Sequence, residues 1–173
     1  MAVESIDKKT ILMPKTGHVI QINVNPKGGV PKQPVARARV TSNGVAGDKQ
    51  RNRRFHGGPQ RAVSLYSHEH IQALQAEGHP IAPGSTGENL TIGGLDWAAL
   101  NVGDQLQIGN QLRIEITGYA APCSNIVASF AGGEITRISQ KLHPGWSRLY
   151  AKVLANATAR LGDVVAVTTN VDA

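Results

Sequence analysis

Short runs in which apolar and polar residues alternate recur along this chain, and no other feature constrains its fold as strongly. In "HVIQINV", Ile20, Ile22 and Val24 share one face, and Gln21 and Asn23 share the other. "PVARARV" sets Val35 with Arg37 and Arg39, and "RAVSLYS" sets Val63 with Leu65. "QLQIGNQLRIEITG" reads as a hairpin: Leu106 and Ile108 enter a two-residue Gly109-Asn110 turn, and Leu112, Ile114 and Ile116 return. "RLYAKVL" and "GDVVAVTT" complete the series. A period of two puts neighbouring side chains on opposite faces, the signature of a half-buried strand. Helical spacing is confined to three places. "SHEHIQALQAEG" has Ser67 as an N-cap, Glu69 in the first turn, Ile71 and Leu74 one turn apart, and Gly78 as a stop. A second short helix is expected from Ser124 to Phe130, and a third begins near Gly133 and includes Ile135 and Ile138. This inventory predicts a mostly β domain, a closed or nearly closed barrel decorated by a few short helices. Strand order does not follow from it.

The 173 residues suffice for one domain, with its core expected over about residues 17–168. No apolar run approaches the roughly 18–20 residues of a membrane span. "MAVESIDKKTILMPKTG" lacks the apolar stretch of a secretory signal. Cys123 is the only cysteine, so no disulfide can form within the chain, and a cytoplasmic location is expected. Charge is uneven. Residues 1–61 carry 12 Lys and Arg against 3 Asp and Glu, and the remainder carries 6 against 9. The first part of the chain therefore builds a positive field that suits an anionic partner, although a solvated basic face would look the same.

Three segments hold the candidate chemistry. "GVAGDKQRNRRFHGGPQRAVSLYS" packs Lys49, Arg51, Arg53, Arg54 and Arg61 around His56 and the paired glycines 57 and 58. Such glycines let a backbone approach a ligand closely, its N–H groups can face an anion, and an arginine adds a planar fork suited to phosphate. By itself this segment reads more often as a charged surface turn with a structural histidine. "PGSTGENLTIGGL" brings Thr86, Glu88 and Asn89 to the head of a strand, and an Asn amide can donate and accept at the edge of a heterocycle. The plainer reading is a turn capped by Glu88. In "GYAAPCSNI", a lone cysteine is more often a small buried hydrophobe than a nucleophile. Yet Pro122 stiffens the approach to Cys123, and a helix expected just after it favours the thiolate, a soft metal ligand and sulfur nucleophile. CxxC, HExxH, GxSxG and GxxxxGK[ST] patterns are all missing from the sequence.

Taken in this order, the segments resemble the MOSC domain, the module named for the C-terminal part of molybdenum-cofactor sulfurase. The resemblance spans roughly residues 17–168. It rests on His56 to Val63 as HGG-x-x-[KR]-A-V, then Gly87-Glu88-Asn89, then Pro122-Cys123. It implies a β-barrel and makes Cys123 the functional cysteine. Family members bind the pterin-based molybdenum cofactor, carry sulfur on that cysteine, or both. In the eukaryotic amidoxime-reducing relatives the equivalent cysteine ligates molybdenum, and some stand-alone bacterial members reduce N-hydroxylated bases such as hydroxylaminopurine. The chain departs from the family pattern at Ala155-Asn156-Ala157, where relatives often place a glycine and where Asn156 could hold a left-handed turn.

The resemblance thus implies a single MOSC-like domain over 1–173. Its cofactor would be molybdopterin, bound through Lys49, Arg54, His56, Arg61, Thr86, Glu88 and Asn89, with Cys123 as catalytic group and metal ligand. The chain contains no pyridoxal-phosphate domain and no ferredoxin-like cysteine cluster. Its partners would be a small N-hydroxylated substrate and a separate electron-transfer protein, or else a sulfur donor. Two alternatives stay open. Cys123 could carry a persulfide as a sulfur carrier, or the basic first part could form a non-enzymatic nucleic-acid-binding module. Aromatic residues are only 4% of the chain, which disfavours the nucleic-acid reading because stacking platforms are scarce.

Overall fold

The computed structural model describes residues 15–49 and 57–168. Arg54 and His56 lie outside the described residues. The strands are β1 (Thr16–Val24), β2 (Gln33–Val35), β3 (Arg37–Thr41), β4 (Gly44–Val45), β5 (Val63–Ser67), β6 (Leu90–Gly93), β7 (Gln105–Ile108), β8 (Leu112–Ala120), β9 (Arg148–Ala155), β10 (Ala157–Arg160) and β11 (Val164–Thr168). One α-helix, α1 (His68–Ala76), and five 3₁₀ turns accompany them among the described residues. Seven strands run β11-β7-β8-β9-β5-β6-β1, and β11 pairs back onto β1 to close the barrel. Closure leaves these strands no open edge along the seam. β5 and β6 pair in parallel through a crossover that carries α1, whereas β8 and β9 form a long antiparallel pair. β3, β4 and β10 form a separate small sheet.

The core follows the alternation in the sequence. Leu112, Ile114 and Ile116 of β8 are fully buried, as are Leu106 of β7 and Leu65 of β5. Ser67 caps α1 as its spacing predicts, accepting a hydrogen bond from the His70 backbone N–H at 3.1 Å. Ile71 and Leu74 turn inward from the helix.

Several expectations are corrected. Ile20 does not share the inner face with Ile22 and Val24. The β1–β6 register shifts between Val19 and Gln21, so Val19 is buried and Ile20 is 43% exposed. An irregularity of one residue reverses which side chain points inward. The β7–β8 turn spans three residues, 109–111, because Ile108 pairs with Leu112. Ala36 divides the expected "PVARARV" strand into β2 and β3. The helices expected at Ser124–Phe130 and near Gly133 are 3₁₀ turns, at Ser124–Ser129 and Ile135–Ile138. Asn156 does not adopt a left-handed backbone. Only glycines have positive φ among the described residues, and the chain passes from β9 into β10. There the Asn156 side chain accepts from the Ser42 N–H at 3.2 Å.

No helix among the described residues is long and apolar enough to cross a membrane. Ile114→Ala should remove about 2–5 kcal/mol of stability, the usual range for emptying a closed core site. A urea unfolding series in which the midpoint falls while the slope holds would show it.

Candidate functional site

The site lies where β8 and β9 reach one mouth of the barrel. β8 ends at Ala120, and the chain runs through Pro122 to Cys123, which is half-buried. The Cys123 carbonyl accepts from the Ile126 N–H at 3.2 Å, opening the Ser124–Ser129 turn. Buried Ile126 anchors that turn in the core. A short 3₁₀ turn aligns few peptide dipoles behind the sulfur, so the α-helical support expected for a thiolate is not built here.

Opposite stands the loop 84–89. Gly84 adopts φ +85°, and a Cβ there would meet the Lys32 carbonyl at 2.5 Å, so only glycine fits against that backbone. The Glu88 carboxylate is fully buried and organises the loop from within. Its Oε1 accepts from the Gly84 N–H at 2.6 Å and from Thr91 Oγ1 at 3.2 Å, and its Oε2 accepts from Thr86 Oγ1 at 2.7 Å. Asn89 is equally committed to protein partners. Its Nδ2 donates to Asp48 Oδ2 at 2.9 Å and to the Asn23 carbonyl at 3.2 Å. Its Oδ1 accepts from the Ser64 N–H and Oγ, both at 3.2 Å. Glu88 and Asn89 therefore shape the loop, and Thr86 and Gly87 present it to the cavity.

Arg148, at the head of β9, joins the two sides. One guanidinium N–H donates to the Thr86 carbonyl and another to the Ala121 carbonyl at 3.2 Å. Its Nε is buried and has no hydrogen-bond partner. No salt bridge reaches Arg148 among the described residues. Lys32, by contrast, is neutralised by Asp48 at 2.7 Å. Between the loops lies a cavity of about 310 Å³, lined by Cys123, Lys49, Thr86, Asn125, Arg148 and Tyr150 among others. The Arg61 guanidinium stands 5.1 Å from the centre of the Tyr150 ring. Burial raises the Tyr150 phenol above its ordinary pKa, although Arg148 and Arg61 pull the other way. It therefore remains a neutral proton donor near neutral pH.

The structure thus brings Cys123, Lys49 and Thr86 to one cavity, places Arg61 behind Tyr150, and sets Glu88 and Asn89 as supports. Reading the sequence passed over Lys32, Ser64, Arg148 and Tyr150, all of which line the cavity. The available signal was an arginine opening a largely apolar strand, "RLYAKVL", whose other cation is Lys152. No cluster of three His, Cys, Asp or Glu side chains able to hold a metal occurs among the described residues.

The family model of the MOSC domain matches residues 52–166. The chain belongs to the MOSC domain family. It is 30% identical over 132 residues to protein YiiM of Escherichia coli (strain K12), covering 70% of this chain and 58% of that protein. It is 26% identical over 132 residues to a Gibberella moniliformis protein named reductase, covering 73% of this chain and 23% of that one. The chain thus spans less than two thirds of these curated relatives. Among solved structures, the YuaD protein of Bacillus subtilis superposes with a TM-score of 0.67 at 19% identity, covering 90% of this chain and 98% of that one. That likeness shows the shared barrel fold.

Arg148→Met keeps the stem but removes both staples and the charge. The expected result is a lower Tm and faster alkylation of Cys123 in the folded state, measured with a thiol-reactive maleimide.

Proposed function

We propose that this MOSC domain binds a molybdopterin-type molybdenum cofactor in the Cys123 cavity and reduces N-hydroxylated bases or related compounds. The observation that carries the reading is the meeting of a half-buried thiol and an uncompensated buried guanidinium in one hollow. A buried cation without a carboxylate is costly unless an anion completes it. The residues fit such a group. Arg148 and Lys49 suit its phosphate, Asn125 offers an amide to its heterocycle, and Cys123 Sγ is the soft ligand its metal requires. When bound, the cofactor supplies the redox and oxygen-transfer chemistry that side chains cannot perform.

The chain's own residues then bind and orient. The 84–89 loop and the Ser124–Ser129 turn wall off solvent on two sides. Tyr150 holds a proton at its phenolic oxygen in the same wall. Converting an N–OH group to N–H consumes two electrons and two protons and releases water. The electrons come from a separate electron-transfer protein.

The test is metal analysis of protein purified from a host that makes the cofactor. Molybdenum should co-purify with the parent and be lost from Cys123→Ser, together with reduction of hydroxylaminopurine. A metal-free parent, with Cys123→Ser as active as the parent, rejects the reading. A labile extra sulfur on Cys123 by mass spectrometry would instead assign a sulfur carrier.

A further inference from the structure

The far end of the barrel holds a second concavity, of about 480 Å³. β8 separates it from the end that carries Cys123, and its eight steps from Leu112 to Ala120 span about 27 Å at about 3.4 Å each. The 109–111 turn and the turn at Gly162 and Asp163 form part of it, and Arg39, Thr158 and Arg160 line its side. The register of the small sheet explains the clustering. Arg37 faces Arg160, and Arg39 faces Thr158. Ala38, Val40, Ala157 and Ala159 take the buried face, so all three guanidiniums fall on the outer one.

Like charges directly opposite on paired strands repel. No salt bridge relieves Arg37, Arg39 or Arg160 among the described residues. The acid in the concavity, Asp163, is occupied by the turn. Its Oδ2 accepts from the Arg160 backbone N–H at 2.9 Å. Its negative charge opposes an incoming anion, but the two arginines that line the concavity, Arg39 and Arg160, outweigh it. Arg39 and Arg160 are diagonal neighbours on that outer face and line a polar hollow, with Arg37 opposite Arg160 adding its charge from outside the lining, an arrangement that suits an oxyanion. Arginine's planar fork matches phosphate oxygens in particular.

We infer that this concavity binds a phosphate group, free or as an ester, through the Arg39 and Arg160 forks and the Thr158 hydroxyl. The inference does not depend on the chemistry proposed for Cys123. Inorganic phosphate and adenosine monophosphate are titrated separately into the full chain at ionic strength held constant with sodium chloride, and backbone amides are followed by NMR. Saturable shifts are expected at Gly109, Asn110 and Gly162. They should survive Arg148→Met, which separates this site from the Cys123 cavity. In Arg39→Gln/Arg160→Gln binding should weaken by about tenfold or more, the scale set by losing charge-assisted hydrogen bonds. Tighter binding of the nucleotide assigns an ester, and equal affinity assigns the free ion. Shifts that chloride reproduces, that fail to saturate, or that persist undiminished in the double variant overturn the inference. Arg160→Gln alone should raise Tm at low salt, with the gain fading as salt is added. A fall in Tm removes the like-charge premise.

Discussion

Arg148 is the contact on which the site depends. Its guanidinium ties the Thr86 carbonyl to the Ala121 carbonyl, and so holds the 84–89 loop at a fixed distance from the segment that carries Cys123. The two loops are far apart in sequence and share no strand. A buried cation with only carbonyl partners sits in an environment that penalises charge. The barrel supports it by rooting the arginine at the first residue of a strand that pairs on both sides.

Around that staple, the buried carboxylates and amide that frame the cavity have defined occupations. Glu88 spends its carboxylate on two hydroxyls and one N–H, which stiffens the loop without any cation. Asp48 links Lys32, Asn89 and the Asn25 N–H, so three separate stretches of chain meet at one carboxylate. Networks whose members are satisfied rigidify a site, and a buried group at the cavity left without a partner is then conspicuous. Here it is the Arg148 Nε.

Much of this was legible in the sequence, for physical reasons. The strands were readable because a closed barrel has one inner face, and alternation records it directly. Ile20 was misplaced because a register shift leaves no compositional mark. Cys123 stands out in the sequence because it is unique, and Thr86 because it lies in a glycine-bracketed loop. Glu88 and Asn89 were noticed too, but side chains able to bind a ligand can equally bind the backbone, and only geometry tells which they do. Arg148 and Tyr150 were passed over because they belong to a strand, where a lone arginine usually signals solvent. The turn after Cys123 was expected to be α-helical, since one apolar anchor, Ile126, does not distinguish a 3₁₀ turn from a helix.

The seam of the barrel joins Gly17 to Val165, residues from opposite ends of the described chain. During synthesis β1 emerges before β11 and must wait for it, so its edge and that of β7 stay open until translation has passed residue 168. Exposed strand edges recruit other chains. A nascent copy on a crowded polysome is therefore vulnerable from the emergence of β1 until β11 is made. Because β11 is the last strand of the barrel in chain order, closure follows the pairing of all the others.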